Sequence, residues 1–354
     1  MSTLKLDSLR VQNFRTFKNL EIDRLGRVNL IVGENNVGKT SVLEALHLYV
    51  RGGTGRLADD ILDERDLERL DASRSTEESE FGVALPAIRH LFHGRPDLSF
   101  LSSDDEVIEA PTISISSRPE HNRELTIELT FNAQKTSVYP QYTVGDKPGP
   151  SARTLGEKTV SVFVRSHDVR AEGDRYWDQI AMTADADLLV ESLRIIDEDV
   201  VDVRYRPDRT TNGSSPDAVR QIPLVRLKGL DRPEPMSNMG EGMNRLLALM
   251  TAMIRARDGV LLVDEIENGL HYSVHPKMWN LLFSTAQNLN CQIFATTHSH
   301  DCVKAFDHAA RAYDDEEGML IQLRQRRSTP KEIAAVTADE KELESALHTG
   351  VDPR

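Results

Sequence analysis

The segment Gly33-Glu34-Asn35-Asn36-Val37-Gly38-Lys39-Thr40 fits the phosphate-cradling P-loop pattern at every defined position. Its two glycines let the backbone curl, so that successive N–H groups and the start of the following helix point at one anion. Lys39 adds a mobile charge for terminal phosphates, and the Thr40 hydroxyl is suited to Mg²⁺. Gly33, Asn35, Asn36, Val37, Gly38, Lys39, Thr40 and Ser41 are therefore the candidate nucleotide-binding set. A chance glycine-rich turn is the alternative, but it leaves the apolar run before the loop and the helical run after it unexplained.

Two more groups extend the chemistry. Asp264-Glu265 follows the apolar run Val260-Leu261-Leu262-Val263, a placement that makes sense if both acids emerge into a site. Asp264 would orient the Mg²⁺ shell, and Glu265 would take a proton from the water attacking a γ-phosphate, since phosphoryl transfer relies on positioning and charge stabilisation. His298 closes the next strand-like run and would lie beside Glu265 in a parallel sheet. In isolation the acid pair reads as a solvated strand end and the histidine as structural. Their order behind Lys39, on successive strand ends, favours catalysis by Lys39, Glu265 and His298.

The elements that must position these groups are legible as patterns. Val28 to Val32 reads as a buried strand and Ser41 to Leu48 as a helix, broken by Arg51-Gly52-Gly53. Leu4 to Val11 and Leu20 to Asp23 read as short strands. Thr112 to Ser116, Leu125 to Phe131 and Val160 to Val164 alternate with period two, which predicts half-buried antiparallel strands in a layer beside the P-loop sheet. Asp178 to Ile196 is mostly helical in character. Met243, Leu246, Leu247, Met250, Met253 and Ile254 recur at helical spacing up to Asp258-Gly259. A helix over about Ser273 to Gln287 precedes a strand at Gln292 to Thr296, and strands alternating with helices predict a parallel sheet with chemistry at the carboxyl ends of its strands. Gly145 to Pro150 and Arg209 to Pro216 read as loops, Asp59 to Glu80 as an acidic exposed insertion, and Thr337 to about His348 as a capped helix.

Composition sets bounds. The 354 residues carry a formal charge of −14 with 39% hydrophobic residues, which predicts a normal core and argues against indiscriminate coating of nucleic acid. A local basic groove stays open, although Arg324-Gln325-Arg326-Arg327 reads better as a solvated edge. No window has the length and apolarity of a membrane span and the N-terminus lacks a signal-peptide shape, so a cytoplasmic location is expected. Cys291 and Cys302 fall in a core strand and the helix after it, which predicts free thiols in a reducing compartment, a metal pair being the alternative.

Together, Asn13-Phe14-Arg15, the Gly33 loop, Ser237-Asn238-Met239-Gly240-Glu241-Gly242, Val263-Asp264-Glu265 and Thr297-His298-Ser299 resemble the ordered motifs of ABC-type ATPase heads. More narrowly they resemble the SMC and RecF group, and within it the ATPase part of the overcoming-lysogenization-defect (OLD) nucleases and related phage-defence ATPases. The likeness covers roughly residues 1–50 and 235–305. It implies an α/β P-loop NTPase head with a mostly parallel core sheet, an antiparallel β layer and a helical subdomain. The divisions expected are an ATPase lobe at 1–170, a helical insert at 171–235, the remaining ATPase core at 236–330 and a helical tail at 331–354. It also implies ATP and Mg²⁺ bound between two copies, with Asn13 and Arg15 near the nucleotide. Ser237, Asn238, Gly240 and Glu241 would meet the γ-phosphate of the other copy. Asn238 stands where the family has serine and Met239 where it has glycine. No glutamine is assigned to the family's metal-contacting loop, Gln141 being a poor match. Glu267 to His271 occupies the segment that crosses between subunits. Only 56 residues follow His298, too few for the Toprim nuclease of OLD proteins, so any effector is expected on a separate polypeptide, and Asp314 to Glu317 reads as an exposed acidic turn.

Three functions compete. One is an ATP-hydrolysing dimerising switch that senses or processes nucleic acid and controls a separate effector. The second is a nucleotide-gated scaffold with little turnover that sequesters a partner effector or toxin. The third, the motor of a membrane transporter, is disfavoured by the absent coupling-loop glutamine and the SMC-like N-terminus.

Overall fold

The computed structural model of the chain describes residues 4–51, 89–95, 112–117, 124–131, 138–144, 147–148, 159–166, 180, 183–207, 221–313, 317–326 and 332–338. The acidic stretch 59–80, the loop 209–216, most of the loop 145–150, the turn 314–316, Arg327 and residues 339–348 lie outside these.

Three sheets organise the described residues. The central one runs β15 (Ile333–Ala338), β14 (Gly318–Gln325), β3 (Val28–Gly33), β13 (Gln292–Thr296), β12 (Val260–Val263), β8 (Ser161–Val164). All its neighbours pair in parallel except the edge strand β15. A second sheet, β2 (Phe17–Ile22), β1 (Leu9–Phe14), β4 (Thr112–Ser116), β5 (Glu124–Phe131), β6 (Val138–Val144) and β7 (Lys147–Pro148), is antiparallel throughout. The third, β11 (Glu234–Pro235), β10 (Gln221–Leu227) and β9 (Val200–Pro207), is a small antiparallel sheet that the sequence pattern did not suggest. Five helices accompany them: α1 (Lys39–Arg51), α2 (Asp185–Arg194), α3 (Glu241–Arg255), α4 (His275–Asn288) and α5 (His300–Ala310).

The central sheet is buried on both faces because its strands alternate apolar residues to either side. Ile31, Val260, Leu262, Phe294 and Ile321 pack with α1 and the hairpin β1–β2. Leu30, Leu261, Val263, Ile293 and Ala295 pack with α3, α4 and α5. Trp279, Phe283 and Phe306 fill the gap between α4 and α5, the Trp279 and Phe306 rings meeting edge to face at 5.0 Å. In the third sheet, β9 packs on α2 and α2 on α3, so the segment before α3 is tied to it through a helix.

Two expectations are corrected. Val160 to Val164 does not join the antiparallel layer. It forms β8, parallel to β12 with Ser161 opposite Val260, because a short alternating run is compatible with either partner and burial against α1 selects this one. Thr337 and Ala338, expected to start the C-terminal helix, lie in a strand, and the rest of that expected helix falls outside the described residues. The two residues end β15, opposite Ile321 and Leu320. The first two strands also shift, to Leu9–Phe14 and Phe17–Ile22, and form a tight hairpin. Both cysteines are free and buried, and burial pushes each thiol up to about 12. No three His, Cys, Asp or Glu residues gather as a metal site among the described residues, and no helix there is long and apolar enough to cross a membrane.

Gln292 anchors the N-terminal segment to the core sheet. Its Oε1 accepts from the Leu6 and Lys5 N–H groups at 2.9 and 3.1 Å, and its Nε2 donates to the Leu6 and Gly26 carbonyls at 2.8 Å each. Gln292→Leu keeps the volume but removes these bonds, leaving the Lys5 and Leu6 N–H groups and the Leu6 carbonyl without them while Asn29 still donates to the Gly26 carbonyl, so it is expected to destabilise the fold by roughly 2–5 kcal/mol, read as a lowered urea midpoint.

Candidate functional site

Parallel pairing sets the carboxyl ends of β3, β13 and β12 side by side, with Val263 opposite Ala295 and Thr296 opposite Ile31. The Gly33 loop, Thr296 to His298 and Asp264-Glu265 therefore emerge along one edge. A hydrogen-bonded junction joins them. Asp264 accepts from Thr40 Oγ1 at 3.1 Å on Oδ2 and from Thr296 Oγ1 at 2.6 Å on Oδ1. Thr296 Oγ1 in turn accepts from the Glu265 N–H at 2.8 Å. The Thr296 hydroxyl thus uses both its donor and its acceptor between the two acids.

Glu265 adopts the left-handed region, with φ 48°, a conformation that costs a non-glycine residue about 1–3 kcal/mol and persists only where its surroundings hold it. They do. Besides Thr296, Arg245 Nη2 donates to the Asp264 and Glu265 carbonyls at 3.0 and 3.2 Å, and Asn268 Nδ2 donates to Glu265 Oε2 at 2.6 Å. His298 Nε2 lies 3.9 Å from Glu265 Oε1, as the strand order predicted, and the His298 N–H donates to Glu267 Oε1 at 2.7 Å.

Lys39 folds back over its loop, donating to the Gly33 and Glu34 carbonyls at 2.7 and 2.9 Å. Burial pushes its ammonium below the ordinary lysine value, opposed by the charges of Asp264, Glu265 and Glu267. An incoming polyanion would oppose that shift and favour the charged form. Above the loop opens a cavity of about 1010 Å³, its floor formed by Asn36, Gly38, Lys39, Thr40 and Ser41 and one end by His298. Gly38 is required there, since at φ 102° a Cβ would come within 2.5 Å of Thr16 Oγ1 and 2.7 Å of the Phe17 ring.

The opposite wall was not foreseen. Apart from Arg15, which was expected near the nucleotide, it consists of residues that no motif marked: Thr16, His90, Phe92, His93, Gly94 and Arg95. Residues 89–95 are stitched to the β1–β2 turn by bonds from Arg15 N–H to Leu91 O and from His93 N–H to Asn13 O, at 2.8 and 3.0 Å. Arg15 is pinned by a buried pair with Glu44 at 3.2 Å and by donation to the His90 carbonyl at 3.0 Å. The cavity can hold a nucleoside triphosphate in size, with the anion-directed loop at one end. One carboxylate and one hydroxyl, Asp264 and Thr40, fit a Mg²⁺ ion that keeps phosphate and water oxygens for the rest of its shell.

The remaining candidates fall elsewhere. Asn13 does not line the cavity; its amide donates to the Thr112 carbonyl at 2.7 Å. Gly33 abuts the Leu323 carbonyl of β14, Val37 turns into the core, and Asn35 is exposed off the wall. Ser237, Asn238, Gly240 and Glu241 are exposed and do not line it either. Ser237 and Asn238 sit in a 3₁₀ turn, Met236–Met239, ahead of α3, and Gly240 caps the helix at φ 83° with open space before it. Arg245 and Thr296 were missed, and Glu267 and Asn268 were expected only as part of the segment crossing between subunits, not as partners of His298 and Glu265. Of the two missed, only Thr296, a polar residue at a strand end, left a readable signal.

Residues 4–131 match the family described as "AAA ATPase domain", and residues 161–301 the family described as "AAA domain, putative AbiEii toxin, Type IV TA system". An ATP/GTP phosphatase of Helicobacter pylori is 23% identical over 337 residues, covering 87% of this chain and 89% of that protein. A DNA replication and repair protein RecF of Rickettsia bellii is 39% identical over 87 residues, but these are only 24% of this chain and 23% of that protein. Among solved structures, an Smc head bound to the C-terminal winged-helix domain of ScpA superposes with TM-score 0.56 at 15% identity, over 96% of this chain and 99% of that one. The fold is that of an Smc head, an α/β P-loop arrangement.

In this SMC-like head, α1 carries the P-loop helix and also His47. Its Nδ1 lies 2.8 Å from Ser161 Oγ of β8, and its ring meets Phe163 edge-on at 5.8 Å. Burial, with Arg51 and Arg165 nearby, holds the imidazole down to about 3 from an ordinary 6.5. The folded state therefore binds fewer protons than the unfolded chain between those values. The sign follows: this contribution to stability is complete above pH 6.5 and is lost progressively as pH falls toward 3. His47→Gln is expected to flatten the fall in urea midpoint between pH 7 and 4.5 relative to wild type.

Proposed function

We propose that this chain is an ATP-hydrolysing switch that dimerises around its nucleotide and governs a separately encoded effector. The observation that carries the reading is the split of the candidate set. Lys39, Thr40, Asp264, Glu265 and His298 gather at one sheet edge, while the Ser237 to Glu241 turn faces outward from the same head. A nucleotide seated on the loop of one copy would be completed by that turn from a second copy.

Within such a site the chain's own groups divide the work. Lys39 would exchange its two carbonyl partners for the terminal phosphates, and Thr40 with Asp264 would hold Mg²⁺. The ion would supply charge that neutralises the phosphate oxygens. Glu265 would accept the proton of the attacking water, with His298 orienting that water or touching the γ-phosphate. Asn268 holds Oε2 of that carboxylate, which leaves Oε1, on the His298 side, for the water. Gly240 and the first N–H groups of α3 would meet the partner's γ-phosphate.

Control of an effector in phage defence is supported by the resemblance to OLD-type ATPases and by the toxin–antitoxin wording of one matching family. A protein partner docked on the head is supported by the ScpA domain bound to the Smc head. Nucleic acid is a second candidate trigger, supported by the local likeness to RecF. A scaffold with little turnover is favoured by two features, the asparagine and methionine at 238–239 and the grip of Asn268 on Glu265.

Purified protein is expected to hydrolyse ATP with Mg²⁺ and to lose that turnover on adding EDTA. Glu265→Gln should cut turnover by about 10²–10⁴-fold and accumulate ATP-bound dimers in light scattering. A variant that binds ATP yet stays monomeric would sink the shared-site mechanism, and negligible turnover with and without DNA would favour the scaffold.

A further inference from the structure

Arg245 joins two places that the reading above assigns to different nucleotides. It lies on α3, five residues after Gly240, about 7.5 Å along the helix axis, and is 2% exposed. Its Nη1 donates to the Arg165 carbonyl beyond β8 at 2.9 Å, and its Nη2 to the carbonyls of Asp264 and Glu265 beyond β12. At the other end, Asn244 ties the Ser237 to Gly240 turn onto the same helix, donating to the Gly240 and Met236 carbonyls at 2.7 and 3.1 Å. The turn, the first turns of α3 and the backbone of both acids are thus one connected unit. Glu265 is the sensitive end of that unit, because its left-handed backbone is maintained by bonds at its N–H and its carbonyl.

We infer that Arg245 is a positioning residue that couples the two nucleotide sites of a dimer. The inference rests on the shared-site reading. In a dimer the Gly240 turn of one copy meets the nucleotide on the other copy's loop, whereas Arg245 of that same copy sets its own Asp264 and Glu265. Occupation of one site therefore adjusts the acid and the base of the other. Hydrolysis is cooperative in nucleotide concentration, and the coupling depends on the forked guanidinium, which holds carbonyls of two strands at once. Lysine presents a single point charge and cannot hold that geometry.

The test is ATP turnover against ATP concentration for wild type and Arg245→Lys, with binding followed by a fluorescent ATP analogue. Wild type should show a Hill coefficient above 1. Arg245→Lys should bind the analogue within about threefold of wild type, lose roughly 10-fold or more in kcat, and give a Hill coefficient of 1. Wild-type kcat and cooperativity in Arg245→Lys would overturn the inference. If that variant fails to bind, mixed dimers of wild type and Gly240→Asp decide. Coupled sites leave far less than half of the wild-type activity, whereas half of the activity overturns the inference. A wild type that never dimerises or hydrolyses ATP would instead overturn the shared-site reading beneath it, a result distinguishable from either.

Discussion

The carboxylate of Asp264 accepts hydrogen bonds from two threonine hydroxyls carried by different elements, Thr40 on α1 and Thr296 on β13. The rest of the site hangs on this junction. It holds the P-loop helix against the neighbouring strand ends, and through Thr296 it also fixes the N–H of Glu265. A half-buried carboxylate is favoured where its lone pairs are used, and hydroxyls satisfy them without cancelling the negative charge that a cation would need. The junction exists because three parallel strands end level with one another, which an antiparallel arrangement would not provide.

Around it the fold separates rigid from exposed parts. Both faces of the central sheet are packed, so the strand ends have little freedom. The Ser237 to Glu241 turn is the opposite, standing in solvent at the end of a buried helix. The residues proposed to meet a second copy are thereby carried on an element that cannot move without disturbing the core.

Much of this was readable in the chain. The runs 112–116, 260–263 and 292–296 are strands at the expected residues, because an uninterrupted or alternating apolar run bounded by turn residues has few other solutions. The P-loop, its helix and the pairing of His298 with Glu265 followed from order alone. Val160 to Val164 was misplaced for a definite reason. Its alternation reports that a strand is half-buried, and says nothing about which distant strand will take its hydrogen bonds. Thr337 failed similarly, since a capping pattern is local while the competing β14 edge is not.

What sequence determined by itself was the inventory of phosphate-directed groups and their order along parallel strands, since glycine, lysine and paired acids have few other uses at such spacing. What only the tertiary structure decided was how those groups are held. Arg245, Thr296 and the wall at residues 89–95 act through contacts between segments well separated in sequence. A polar residue supporting another's backbone carries no periodicity and no motif. Its role is set by packing alone.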